Sequence, residues 1–344
     1  MRVGNRIYWL LWAGLILSIL GSLMFGAYAM NSTELFKGLF SFSGPKGEIG
    51  EGFLIYHIRL PRVLLAALVG AGLASVGAAI QGLFRNPLAD PTLIGVSSGA
   101  VLFAVLAIVL TKSYWSTLPD WIQQTSVSLS AFIGGVITTF VVYAISKKDQ
   151  HVSVMTMLLA GIAISALASA IVGVCIYLSD DQQLRDITFW TLGSLSGTNW
   201  LQVGILSPLV VGGLWLLNKQ AATINALLLG EKEAAYLGVK VESVKTLIIL
   251  IAALITGVCI SFTGIIGFVG LIIPHFLRLI LGSNYTQLLP SSAILGALFL
   301  VITDTFARTI VAPAELPLGI ITALVGAPFF LWLIYRTNNN QVML

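Results

Sequence analysis

Arg59 to Ala100 reads RLPRVLLAALVGAGLASVGAAIQGLFRNPLADPTLIGVSSGA. No charged residue falls between Arg62 and Arg85. At about 1.5 Å rise per residue that interval is roughly 33 Å of helix, enough to cross a hydrocarbon core about 30 Å thick. Gly70, Gly72, Ala74, Gly77, Ala78 and Gly82 put small residues at spacings that let a second helix approach closely, which places this crossing inside a bundle. The turn Asn86-Pro87-Leu88-Ala89-Asp90-Pro91 then ends it, because two prolines cannot continue a helix.

The rest of the chain has the same character. It is 57% hydrophobic and 9% charged, with a mean hydropathy of +0.96. Repeated apolar runs of that length exclude a soluble domain and a closed barrel, leaving an all-α polytopic membrane protein. Ile7 to Ala29 is too long for a signal-peptide core and reads as a retained first helix. Further spans are expected over Thr92 to Leu110, Trp121 to Ser146, Val152 to Ser179 and Trp200 to Asn218. Gly193, Gly197 and Asn199 mark a short outer helix and re-entry ahead of the last of these. Thr246 to Thr303 is apolar enough for three crossings divided by Gly264, Gly267, Pro274, Gly282 and Pro290, and Leu316 to Tyr335 is the final one. The expected total is about ten helices in a single transmembrane domain over residues 1–344, interrupted by a charged segment, 219–245.

An even number of crossings puts both termini on one face, and the positive-inside rule makes that face cytoplasmic. Of the 18 Lys and Arg residues, eleven then lie inside: Arg2, Arg6, Arg85, Lys147, Lys148, Lys219, Lys232, Lys240, Lys245, Arg278 and Arg336. Seven lie outside: Lys37, Lys46, Arg59, Arg62, Lys112, Arg185 and Arg308. Gly70, Gly77, Pro87 and Gly95 recur 187 residues later as Gly257, Gly264, Pro274 and Gly282, a weak internal repeat of the kind transporters carry.

No P-loop signature occurs, so ATP is not bound here through one. Catalytic signatures are absent. His57, His151 and His275 fall in different loops without metal-ligand spacing and read as structural or interfacial. Cys175 and Cys259 sit in apolar segments and read as small core residues. Leu227 to Val241, LLLGEKEAAYLGVKV, is a short amphipathic helix too polar for the bilayer; it fits either a partner's groove or a solvated connection.

Taken together, RLPR at Arg59, NPLADP at Asn86, GVSSGA at Gly95, LLAGIAIS at Leu158, GEKEAAYLGV at Gly230, GIIGFVGLIIPHFLRL at Gly264, DTFART at Asp304 and APAELPLGIITALVGAPFF at Ala312 resemble the FecCD-type permease subunits of bacterial ATP-binding-cassette (ABC) importers for haem, ferric siderophores or cobalamin. The resemblance covers nearly the whole chain. It implies a type II ABC importer permease fold in the bacterial inner membrane. The partners it implies are a second copy of the chain, two cytoplasmic ATPase subunits that bind ATP and Mg, and an extracytoplasmic substrate-binding protein, with no nucleic acid. By the same resemblance, Gly230, Glu231, Ala234, Leu237 and Gly238 match the coupling helix seated in the ATPase. Arg59, Arg62 and Arg308 match outward-facing arginines that receive the binding protein's acidic side chains, and Asn86 and Leu88 match a cytoplasmic gate. Around Ser153 to Thr156, where the family presents a hydroxyl to the pore, Val154 stands at the pore-facing position. The segment Asp181 to Leu195 is more similar to haem than to cobalamin permeases. Phe189 and Trp190 could line the path of a planar ring and Arg185 could meet its carboxylates, although aromatic residues at that depth also form an interfacial belt. The expected mechanism is alternating access, with no chemistry in this chain. A stand-alone secondary transporter is the rival reading, but the charge-free helix interiors offer no mid-membrane carboxylate for a coupling ion.

Overall fold

The structure is a computed structural model describing residues 2–26, 28, 30–40, 50–114, 119–149 and 151–341. Pro45, Lys46 and Trp115 lie outside the described residues. The described chain is helical apart from turns and one two-stranded hairpin.

Helix α1 (Arg2–Met24) and the short α2 (Ser32–Phe40) precede α3 (Glu51–Phe53), which continues through a π-helical stretch, Leu54–Arg59, into α4 (Leu60–Leu83). A 3-10 turn, Pro91–Ile94, leads to α5 (Val96–Tyr114), and α6 (Asp120–Ser146) follows. The hairpin strands β1 (Lys147–Lys148) and β2 (His151–Val152) pair antiparallel, Lys147 opposite Val152, and deliver the chain into α7 (Val154–Tyr177). Next come α8 (Asp181–Leu192), α9 (Trp200–Lys219), α10 (Ala221–Leu229) and α11 (Glu231–Tyr236). The last four are α12 (Val241–Thr263), α13 (Val269–Leu281), α14 (Tyr285–Ala307) and α15 (Leu318–Gln341).

Among the described residues, seven helices are long and apolar enough to cross a membrane, and Val96–Leu110, Val269–Leu281 and Leu318–Trp332 are shorter apolar helices. A count of ten spans therefore rests on those three.

The quoted stretch lies at the centre. In α4, 78% of the best 18-residue window is buried, against 17% for α1 and 11% for α7. Its neighbours are α14, α13, α9 and α12, while α5 and α6 pack together beside α12 and α7. Missing side chains permit this crowding. A Cβ on Gly70 would stand 2.2 Å from the Gly296 carbonyl of α14, and one on Gly77 would stand 1.9 Å from the Gly270 carbonyl of α13. The 187-residue offset aligns these glycines in sequence but not in role, since Gly77 sits mid-helix whereas Gly264 caps α12 at φ +69°.

The acidic run Asp180 to Asp186, which reads as a loop in the sequence, instead caps and opens α8, and the re-entry after it follows its glycines. Asp180 caps α8 in a capping box with Gln183, Gly193 and Gly197 take positive φ, and Asn199 opens α9 in a second capping box with Gln202. His57 and His275 stand in helical turns, not loops: the His57 ring stacks on Phe53 at 4.7 Å, and His275 meets Phe329 edge-on at 6.3 Å.

Candidate functional site

The candidate residues gather at two ends of the bundle. At the one where α4 begins and α14 stops, three arginines converge. Arg62 grips Asp304 through Nε at 2.9 Å and Nη2 at 2.8 Å, and grips Glu315 through Nη1 at 2.7 Å and Nη2 at 3.0 Å. Asp304 is fully buried, so this fork-to-fork pairing joins α4 to α14 where water cannot compete. Arg308, one turn after Asp304, reaches its carboxylate at 3.5 Å and donates to Ser22 of α1 at the backbone carbonyl and, at 2.6 Å, the hydroxyl. Arg59 donates to the carbonyls of Leu23, Met24 and Tyr28. All three arginines are buried, at 3%, 8% and 6% exposure for Arg59, Arg62 and Arg308. None of the three projects into solvent: Arg59 and Arg62 are hydrogen-bonded within the chain, while Arg308 bonds Ser22 through Nη2 and leaves its buried Nε, 3.5 Å from Asp304, without a hydrogen-bond partner among the described residues. Glu315, with 34% of its side chain exposed, is the most accessible member of the cluster. Its link to Arg62, like that of Asp304 across 242 residues, has no local sequence signal.

Helix α8 lies at the same end. Arg185 and Phe189, one turn apart, are both exposed, with Arg185 held by Gln182 at 3.1 Å. Trp190 turns inward onto small residues of α5 and α6, Ala100, Ala104 and Ala131, and onto Ile260 of α12. The structure thus puts two of the three proposed path residues on one open face and uses the third for packing. The chain after α8 is seated by backbone: Ser194 donates to the Thr263 carbonyl at 2.8 Å, and Leu318 donates to the Gly193 carbonyl at 2.9 Å.

At the opposite end, Asn86 and Leu88 are exposed in the turn after α4. The Asn86 side chain accepts from Leu88 N at 2.9 Å, and Asp90 accepts from Thr92 N at 2.7 Å, so side-chain turns fix the loop. Burial pushes the Asp90 carboxyl above the ordinary carboxylate range, and the Thr92 hydrogen bond opposes that shift. At the start of α7, Val154 is half-buried against the core, whereas Ser153 and Thr156 are exposed and bonded to each other at 3.0 Å. Exposed hydroxyls thus stand one residue before and two residues after Val154.

Beside them lies 219–245. It is not one helix: Gly230 turns the chain at φ +139°, α11 follows, and Gly238 turns it again at φ +85°. Ala234 is fully buried, while Tyr236 and Leu237 are 90% and 66% exposed. Lys245, expected in a solvated charged segment, is 3% exposed in α12. Its Nζ donates to Glu231 at 2.6 Å, Glu242 at 3.1 Å and the Val152 carbonyl at 3.4 Å. Glu242 in turn accepts from Val152 N at 2.9 Å and lies 3.4 Å from the His151 ring. Sequence reasoning missed this network because its members come from three segments.

The model of the FecCD transport family matches residues 14–336. The chain is 46% identical over 285 residues to the hemin transport system permease protein HmuU of Yersinia pestis, covering 83% of this chain and 84% of that one. It is 45% identical over 281 residues to the cobalamin import system permease protein BtuC of Halobacterium salinarum, covering 82% and 73%. A solved structure of an inward-facing metal-chelate type ABC transporter superposes with a TM-score of 0.84 at 33% identity, covering 96% of this chain and 99% of that one.

Proposed function

The chain belongs to the FecCD transport family, and from that premise we propose that this multi-pass ABC permease takes up haem by alternating access, driven by ATP hydrolysed in two partner subunits. The observation that carries the reading is α11: a short helix set off from the long spans by two glycine corners, with Tyr236 and Leu237 bare beside it. Large apolar side chains left open on a polar segment fit a protein groove better than solvent. Gly230, Glu231, Ala234, Leu237 and Gly238 then form the coupling element, and Asn86 and Leu88, with Ser153 and Thr156, form the gate on that side.

Docking of an extracytoplasmic binding protein belongs to the arginine end. Three guanidiniums there face two carboxylates, Asp304 and Glu315, which leaves a surplus of positive charge. An incoming acidic side chain would displace the accessible Glu315 from Arg62, and Arg59 and Arg308 would hold the frame. The bias of Lys and Arg toward the α11 end supports placing both termini on the cytoplasmic side, and the importer reading supports the inner membrane.

Haem as cargo is supported by the HmuU likeness and by the exposed pair Arg185 and Phe189, which suits a carboxylate-bearing planar ring. The BtuC likeness, one percentage point lower, keeps cobalamin as the second reading. Vesicles holding the assembled importer should take up haem on ATP addition and not a ferric siderophore or cobalamin. Uptake of cobalamin alone would overturn the haem assignment. Uptake by this chain without ATPase subunits, driven by an ion gradient, would overturn the ABC reading.

A further inference from the structure

We infer that Lys245 is a positioning residue that locks the coupling helix α11 to the first turn of α7, so that both move as one piece; this rests on the coupling role proposed for α11. A lysine ammonium has three donors and no acceptor. Here each donor finds an oxygen, and the three oxygens belong to three different segments: Glu231 at the start of α11, Glu242 on α12, and the Val152 carbonyl of the hairpin. Glu242 completes the grip by accepting Val152 N, so both polar groups of one peptide residue are held, the carbonyl by Lys245 and the N–H by Glu242. The next residue, Ser153, caps α7 by accepting from Thr156 N at 3.3 Å.

The glycines at Gly230 and Gly238 make α11 a hinged element, because both adopt φ values that side-chain-bearing residues avoid. Only a firm cross-link can carry a displacement of such an element onward. Lys245 supplies one at Glu231, from a side chain 3% exposed to a carboxylate that is 39% exposed. A second bond, between the Tyr143 and Thr246 hydroxyls at 3.0 Å, ties the end of α6 to the same turn of α12. The hairpin, the start of α12 and α11 therefore form a single block, and Ser153 and Thr156 ride on it.

The test uses the complete importer, with ATPase subunits and binding protein, in nanodiscs. Lys245→Met should keep ATP hydrolysis while transport per ATP falls about tenfold, Glu231→Ala should lower transport per ATP likewise, and Lys245→Arg should recover most of the loss. Spin labels at Lys232 and Lys148, both exposed, should keep one separation in the nucleotide-free and ATP-trapped states of the unaltered chain. In Lys245→Met that separation should change between states. Ala234→Trp is the parallel test of the coupling reading. If it uncouples transport while Lys245→Met and Glu231→Ala show the unaltered ratio, the Lys245 assignment falls alone; if it changes neither uptake nor hydrolysis, the coupling role falls. A label separation that shifts in the unaltered chain overturns the single-block inference directly. Should Lys245→Met fail to assemble, Glu231→Ala and that separation decide.

Discussion

At the scale of single residues, Arg62 is the side chain on which the arginine end depends. It neutralises Asp304, a carboxylate with no exposure, and holds Glu315 with the same guanidinium. Arg62→Ala leaves the Asp304 charge buried with only the longer 3.5 Å contact to Arg308, and the expected cost is about 3–5 kcal/mol of unfolding free energy. Thermal unfolding of the purified protein reads it, and Arg62→Ala with Asp304→Ala should cost less than the sum of the two single changes. Glu315→Gln tests the other half of the arrangement. Removing the accessible charge that competes for Arg62 should tighten the binding protein several-fold at low salt, with the gain shrinking as salt rises; equal affinity at all salt concentrations would remove Arg62 from the docking surface. The motif RLPR marked these positions in the sequence, but nothing local reveals that Asp304 and Glu315 fold onto them. Pairings across 242 and 253 residues are properties of the packed bundle.

At the scale of elements, glycine decides how closely helices approach. Gly70→Ala and Gly77→Ala would drive a methyl into backbone carbonyls of α14 and α13, which cannot rotate aside. Each should destabilise the fold by about 1–3 kcal/mol or more, the usual cost of overpacking, and lower the unfolding temperature accordingly. Gly212 of α9 has no neighbour within 4 Å, so Gly212→Ala should be neutral or stabilise by about 0.5–1 kcal/mol through helix propensity. Unfolding of the three variants side by side checks both expectations. Seven long spans were legible in the sequence because a bilayer demands long apolar runs, and Asn199 opens α9 where its chemistry says it should; the helix begun by Asp180 was not, its acidic run reading as a loop. The β1–β2 hairpin was not legible: two residues per strand carry no periodicity, and its fixing partners lie on α12. Nor was the start of α12 at Val241, which carries Lys245 into the fold because Glu231, Glu242 and the Val152 carbonyl await it.

For the whole molecule, the question is which surface meets a second copy and which meets lipid. Helices α1 and α7 are the two least-buried long spans; both expose bulky apolar side chains, Leu159, Ile162 and Leu167 among those of α7, but α7 adds a strip of small ones. The open face of α1 carries Trp9, Leu10, Trp12, Leu17 and Leu20, bulky groups suited to acyl chains and the interface. On α7 the exposed residues include Ala163, Ala166, Ala170 and Gly173, spaced three, four and three apart on one side of the helix. Lipid gains nothing from such a strip, whereas another helix gains close van der Waals contact along it. On the proposed importer reading a second copy would pack against α7, which begins at Ser153 and Thr156, the hydroxyls proposed for the gate, and so would line a path shared by two protomers. Ala166→Trp and Ala170→Trp should convert the purified dimer to monomer, as read by light scattering of the eluted protein, and should abolish uptake with the chain still folded. Leu17→Trp on α1 should leave the dimer intact. Dissociation by Leu17→Trp with α7 variants still dimeric would move the protomer contact to α1 and give the small-residue strip to lipid.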